Sequence, residues 1–92
     1  MKTVVKENAN GGKGQVVVKY ILDDNELNAK CKMFAEVTIA PGCSLGYHEH
    51  HGESETYYII KGQGEYDDNG TKRPVTVGDK TFTPDGCGHG IA

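Results

Sequence analysis

The residues best able to do chemistry lie at positions 42–62, GCSLGYHEHHGESETYYIIKG. Three of the four histidines, His48, His50 and His51, fall within four positions, and the carboxylates Glu53 and Glu55 follow within five more. Imidazole and carboxylate together make a borderline-to-hard donor set suited to Mn, Fe, Co, Ni, Cu or Zn. On a β-strand, residues two apart share a face, so His48 and His50 can aim at one ion while Glu49 between them points away. His51 is one residue out of register and should leave on the opposite face. A short turn through residues 51–54 would fold the next strand back alongside. Glu55 opens that strand and is preferred as the carboxylate over Glu53, which sits in the turn. Tyr57, two beyond Glu55, shares its face and would wall the same pocket. The competing reading is a solvated, histidine-rich turn. Residue type and spacing both match a ligand set, which favours the metal.

The elements that must position these residues read as short strands separated by turns. Residues 3–5 form a short strand, and residues 8–14, NANGGKG, a loop by composition. The GGKG piece lacks the phosphate-loop pattern, because Lys13 is followed by glycine rather than Ser or Thr. Residues 15–22, QVVVKYIL, are β-branched and aromatic, the composition of a strand. Residues 23–30 could close one helical turn capped by Asp23 or Asp24, but are too few to stand as a helix and are read as loop. Over residues 32–40, Met33, Ala35, Val37 and Ile39 alternate with Phe34, Glu36 and Thr38, the period of a half-buried strand. Residues 45–50 and 56–61 form the hairpin that carries the histidines. Strands at 64–66 and 71–77 flank Asn69-Gly70, a strong signal for a tight two-residue turn. Asp67, Asp68 and Asn69 also resemble part of a calcium loop, but the bidentate glutamate such a loop needs downstream is missing. A strand at Lys80–Thr83 and the start of another at 88–92 complete an all-β chain, a barrel or sandwich.

Ninety-two residues fit one domain at the small end, where only roughly 60–65 % of the unfolded surface is buried. Such a core gains from a metal or an oligomer. A formal charge of −3, with no run of Lys or Arg, gives no reason to expect nucleic acid or an anionic membrane as a partner. No segment approaches the roughly 20 apolar residues of a membrane span. The three cysteines, Cys31, Cys43 and Cys87, are odd in number and lack CxxC spacing, which argues against a disulfide framework and for a reducing, cytoplasmic setting. Cys87 is read as a small buried filler rather than a thiolate ligand.

Two spacings carry a family resemblance. Gly42-x5-His48-x-His50-x4-Glu55-x6-Gly62 resembles the first motif of the cupin superfamily, and Gly78-x5-Pro84-x-Gly86-x2-His89 resembles the second. The resemblance covers about half the chain and implies a small jelly-roll β-barrel. Inside it would lie one divalent transition metal (Mn, Fe, Ni, Zn, Co or Cu), held by His48, His50, Glu55 and His89. Strand parity alone reaches the first three, whereas the choice of His89 over His51 rests on the family. In the family an asparagine four residues beyond the second-motif histidine and a closing strand follow; here the sequence ends at Ala92. An open edge and a homodimer are therefore expected, because an unpaired edge invites a second copy. Three neutral imidazoles and one carboxylate around a divalent ion leave a local charge near +1, which favours an anionic small-molecule ligand. The leading expectation is a metal-dependent enzyme for a small anionic or sugar-like substrate, an oxygenase, decarboxylase or isomerase. The competing one is a binding or sensor module of the same fold.

Overall fold

The computed structural model describes residues 1–92 and contains nine strands and one turn of α-helix. The first sheet has the order β1(Lys2–Glu7), β2(Gln15–Tyr20), β3(Ala35–Ile39). The second has the order β4(Leu45–Glu49), β9(Gly88–Ile91), β6(Gln63–Asp68), β7(Thr71–Thr76), and the third pairs β5(Glu55–Tyr58) with β8(Lys80–Thr83). Every pairing is antiparallel.

Several elements follow directly from local chemistry. β6 and β7 join through Asn69 (φ 51°) and Gly70 (φ 99°), and two successive positive-φ residues are what a tight primed turn requires. Pro74 is tolerated in β7 because that strand is an edge. The 23–30 segment, read as loop, instead forms the helical turn α1(Asp24–Leu27). It is held by a reciprocal capping box between Asp23 and Glu26, and it buries Leu27. The loop at 8–14 includes a 3₁₀ turn, Ala9–Gly11, and docks on the start of β4 through Ser44 N–H to the Lys13 carbonyl (2.8 Å). A Cβ on Gly46 would run into the Asn10 carbonyl oxygen, and one on Gly12 into that of Ser44. The glycines of this stretch thus serve close backbone packing.

Two expectations about pairing need correction. β4 and β5 are not a hairpin: β4 pairs with β9 and β5 with β8. The chain between them crosses from one sheet to the other and is pinned by Gly52 N–H to Asp85 Oδ1 (2.7 Å). The second concerns where the open edge lies: β9 runs between β4 and β6, with Ala92 exchanging both backbone bonds with Glu65 (2.9 Å each), and the edges of that sheet are β4 and β7. The apolar core is small, consisting of Val16, Val18, Leu27, Tyr66 and Val75. Four polar side chains are buried beside it: His50, Thr81, Thr83 and His89. The 32–40 strand shortens to β3, and its inner residue Val37 remains 38 % exposed.

Candidate metal centre

His48 and His89 are direct cross-strand partners on β4 and β9, and partners in an antiparallel pair share a face. His50 follows His48 by two and keeps that face, its backbone tied to the 86–87 turn through the Cys87 carbonyl (2.9 Å). Glu55 comes from the other side, at the start of β5 opposite Thr83. The donor atoms of His48, His50, Glu55 and His89 all lie within 4.8 Å of one another. Within that group, His50 Nε2 is 2.9 Å from His89 Nε2 and 3.1 Å from Glu55 Oε1, and His89 Nε2 is 2.8 Å from Glu55 Oε1. The three imidazole rings meet edge to face, with centroids 4.7–5.0 Å apart.

The remaining ring nitrogens decide which lone pairs face inward. His48 Nδ1 lies 2.9 Å from the Gly46 carbonyl, which can only accept, so Nδ1–H donates and Nε2 keeps its lone pair. His50 Nδ1 faces Glu53 Oε1 at 3.4 Å in the same sense. His89 Nδ1 meets the hydroxyls of Tyr66 and Thr83, each at 2.8 Å, and those two hydroxyls are 2.6 Å apart. Two imidazole lone pairs, the His89 Nε2 and a carboxylate oxygen thus converge, an arrangement that repels itself unless a proton or a metal cation stands among them. Ligands about 2.1 Å from a shared ion sit about 3.0–3.4 Å from each other, close to the 2.8–3.1 Å found among His50, Glu55 and His89, with His48 within 4.8 Å, so the donor set fits a single transition-metal ion. Polar partners on the outer ring nitrogens are the usual way such ligands are held in tautomer and orientation.

Local electrostatics favour the ligand form of the carboxylate. Burial pushes the Glu55 carboxyl up, but the His89 hydrogen bond and the surrounding imidazoles outweigh it and hold the group below the ordinary carboxylate range. Glu53 is likewise held low, by the His50 ring and then by the Lys32 ammonium 3.2 Å away. Tyr57 stacks on His89 (centroids 4.7 Å apart, planes 20° apart), with its hydroxyl 3.3 Å from His89 Nε2. Burial, and then the adjacent Glu55 carboxylate, push that hydroxyl well above the phenol range, so it stays a donor.

The remaining histidine, His51, is exposed and outside the cluster. Cys87 is half-buried, also outside it, and all three cysteines are free. Tyr66, Thr83 and Thr81 received no role from sequence. A signal was present in the last two, because on β8 the threonines alternate with an outward Phe82, the reverse of an ordinary half-buried strand.

A family model described as a cupin domain matches residues 35–92. The chain belongs to the cupin family. This cupin is 42 % identical over 84 residues to a Thermotoga maritima protein called an oxalate-binding protein, a match spanning 91 % of this chain and 69 % of the relative. It also superposes on the crystal structure of a protein described as a predicted oxalate decarboxylase, again from Thermotoga maritima. The TM-score is 0.94 at 38 % identity, covering 99 % of this cupin and 79 % of that chain. No helix of the cupin is long and apolar enough to cross a membrane.

Proposed function

We propose that this cupin holds one divalent transition-metal ion through His48, His50, Glu55 and His89, and binds a small carboxylate anion, oxalate first among them, at that ion. The convergence of three imidazole nitrogens and the Glu55 carboxylate carries the reading. When bound, the ion supplies a Lewis acid and a net local charge near +1. The chain's own residues do the rest. Tyr66 and Thr83 orient His89, Glu53 orients His50, and Tyr57 offers a neutral hydroxyl to an anionic oxygen. The names given to the two Thermotoga maritima relatives support oxalate as the first ligand to test.

Catalysis is the second reading, favoured by the relative described as a decarboxylase. Releasing carbon dioxide from oxalate leaves formate only if a proton reaches the remaining carbon. Beside the cluster, the Tyr57 hydroxyl is positioned to hold that proton. Binding needs only the donor set, whereas turnover needs that proton delivered as well, so binding stands first. Calorimetric titration of manganese-loaded protein with oxalate, with formate assayed in the same samples, tests both. Saturable binding without formate makes it a binding protein, binding with formate makes it an enzyme, and no saturable binding removes the carboxylate reading.

We also infer that the chain self-associates. Its accessible surface is 6330 Å² for a mass of 9.9 kDa. A monomer of that mass exposes about 5,200 Å², and the excess of about 1,100 Å² is comparable to the roughly 800 Å² per partner of a standard interface. Tyr58, Ile60 and Phe82, on or beside the outer face of the β5–β8 pair, are 65 %, 62 % and 56 % exposed. Sedimentation velocity at micromolar concentration should report twice the chain mass, and Phe82→Asp should return it to one. A wild-type species of single-chain mass would remove the inference.

A further inference from the structure

The inner face of the β5–β8 pair is polar at every position. Glu55 and Tyr57 lie on β5, opposite Thr83 and Thr81 on β8. Three of the four side chains have partners: Glu55 meets His50 and His89, Tyr57 reaches His89 Nε2, and Thr83 reaches His89 Nδ1 and Tyr66. Thr81 has none. It is 1 % exposed, and its hydroxyl is the single buried side-chain oxygen or nitrogen in the chain without a hydrogen-bond partner. An orphaned buried hydroxyl is costly, and valine would fill the same volume without that cost. Its neighbours on the face all serve the metal cluster, and its direct cross-strand partner is Tyr57, whose hydroxyl lies beside His89 Nε2. No side chain of the face supplies that partner, so we look for it outside the chain.

Resting on the carboxylate reading above, we infer that Thr81 is a specificity-determining contact, its hydroxyl donating to an oxygen of a bound dicarboxylate that lies away from the metal. Its cross-strand partner Tyr57 carries the other neutral hydroxyl of this face that lies beside a ligand-set nitrogen. A neutral donor adds no charge to the site, so it selects by the number and placement of oxygens. Oxalate has a second carboxylate to offer Thr81; formate spends its two oxygens at the metal and leaves the hydroxyl as it is.

The test compares manganese-loaded wild type, Thr81→Val and Thr81→Ser in calorimetric titrations with oxalate and with formate, alongside manganese affinity and melting temperature. Thr81→Val should bind oxalate about tenfold more weakly while formate and manganese affinity hold and the melting temperature stays level or rises, the orphaned hydroxyl being gone; Thr81→Ser should recover oxalate affinity to within about threefold. Should Thr81→Val fail to fold, Thr81→Ala carries the same expectation for the ratio of oxalate to formate affinity. Oxalate affinity unchanged in the variant that lacks the hydroxyl would overturn the inference, placing Thr81 as packing or as the seat of a water. Equal losses for oxalate and formate would overturn it as well, since that is the mark of a displaced site. A wild-type protein that takes up manganese but not oxalate fails one stage earlier: it removes the carboxylate reading, and the inference with it.

Discussion

Replacing His50 or Glu55 by alanine is expected to lower affinity for manganese(II) by about a thousandfold or more, while His51→Ala leaves it within about twofold. The contrast follows from geometry. His50 Nε2 and Glu55 Oε1 are 3.1 Å apart within the converging donor set, whereas His51, one residue along the same chain, is exposed and outside it. Removing an orienting group around a metal site typically costs only about 10- to 100-fold, so loss of a donor atom should cost clearly more than that. His89→Ala belongs with the damaging class and should be the harshest to fold, because it also leaves the hydroxyls of Tyr66 and Thr83 without their shared partner. Competition titrations against a chelating dye would measure all four variants. If His51→Ala proved as damaging as His50→Ala while His89→Ala changed nothing, the ion would sit in the 51–54 turn and the site assigned here would be wrong.

Chelation of the metal-loaded protein should lower its melting temperature by about 15–30 °C. A ligand held only by the folded chain at about a thousandfold over its dissociation constant stabilises by about 4 kcal/mol, and each kcal/mol moves the transition of a domain this small by about 4–8 °C. The effect is large because the remaining core is not: five apolar side chains are buried, and the polar cluster beside them repels itself without a cation. Elemental analysis of protein purified without metal-chelating resin should find about one transition-metal ion per chain. Unchanged melting after chelation, with substoichiometric metal that no first-row ion restores, would mean that the four donors serve hydrogen bonding alone.

The features legible in the sequence are those set by local chemistry. Two-residue parity on a strand put His48 and His50 on one face and His51 on the other, because successive side chains alternate whatever the strand pairs with. Asn69-Gly70 specified its turn, because only residues tolerant of positive φ fit both central positions. The density of such strands and turns was enough for the all-β class, and the resemblance to the cupin motifs named His89, which the fold brings into the cluster. Pairing partners were not legible. β4 finds β9 about forty residues away, and β5 finds β8 rather than its neighbour in sequence. Which distant edge a strand joins depends on closing the whole barrel, a balance of long-range hydrogen bonds and loop entropy that no short window contains. That balance brings Glu55 across from a second sheet to meet three histidines. It also turns Tyr66, Thr83 and Thr81 from residues of unremarkable hairpins into the buried hydroxyls around the site, one of them without a partner in the chain.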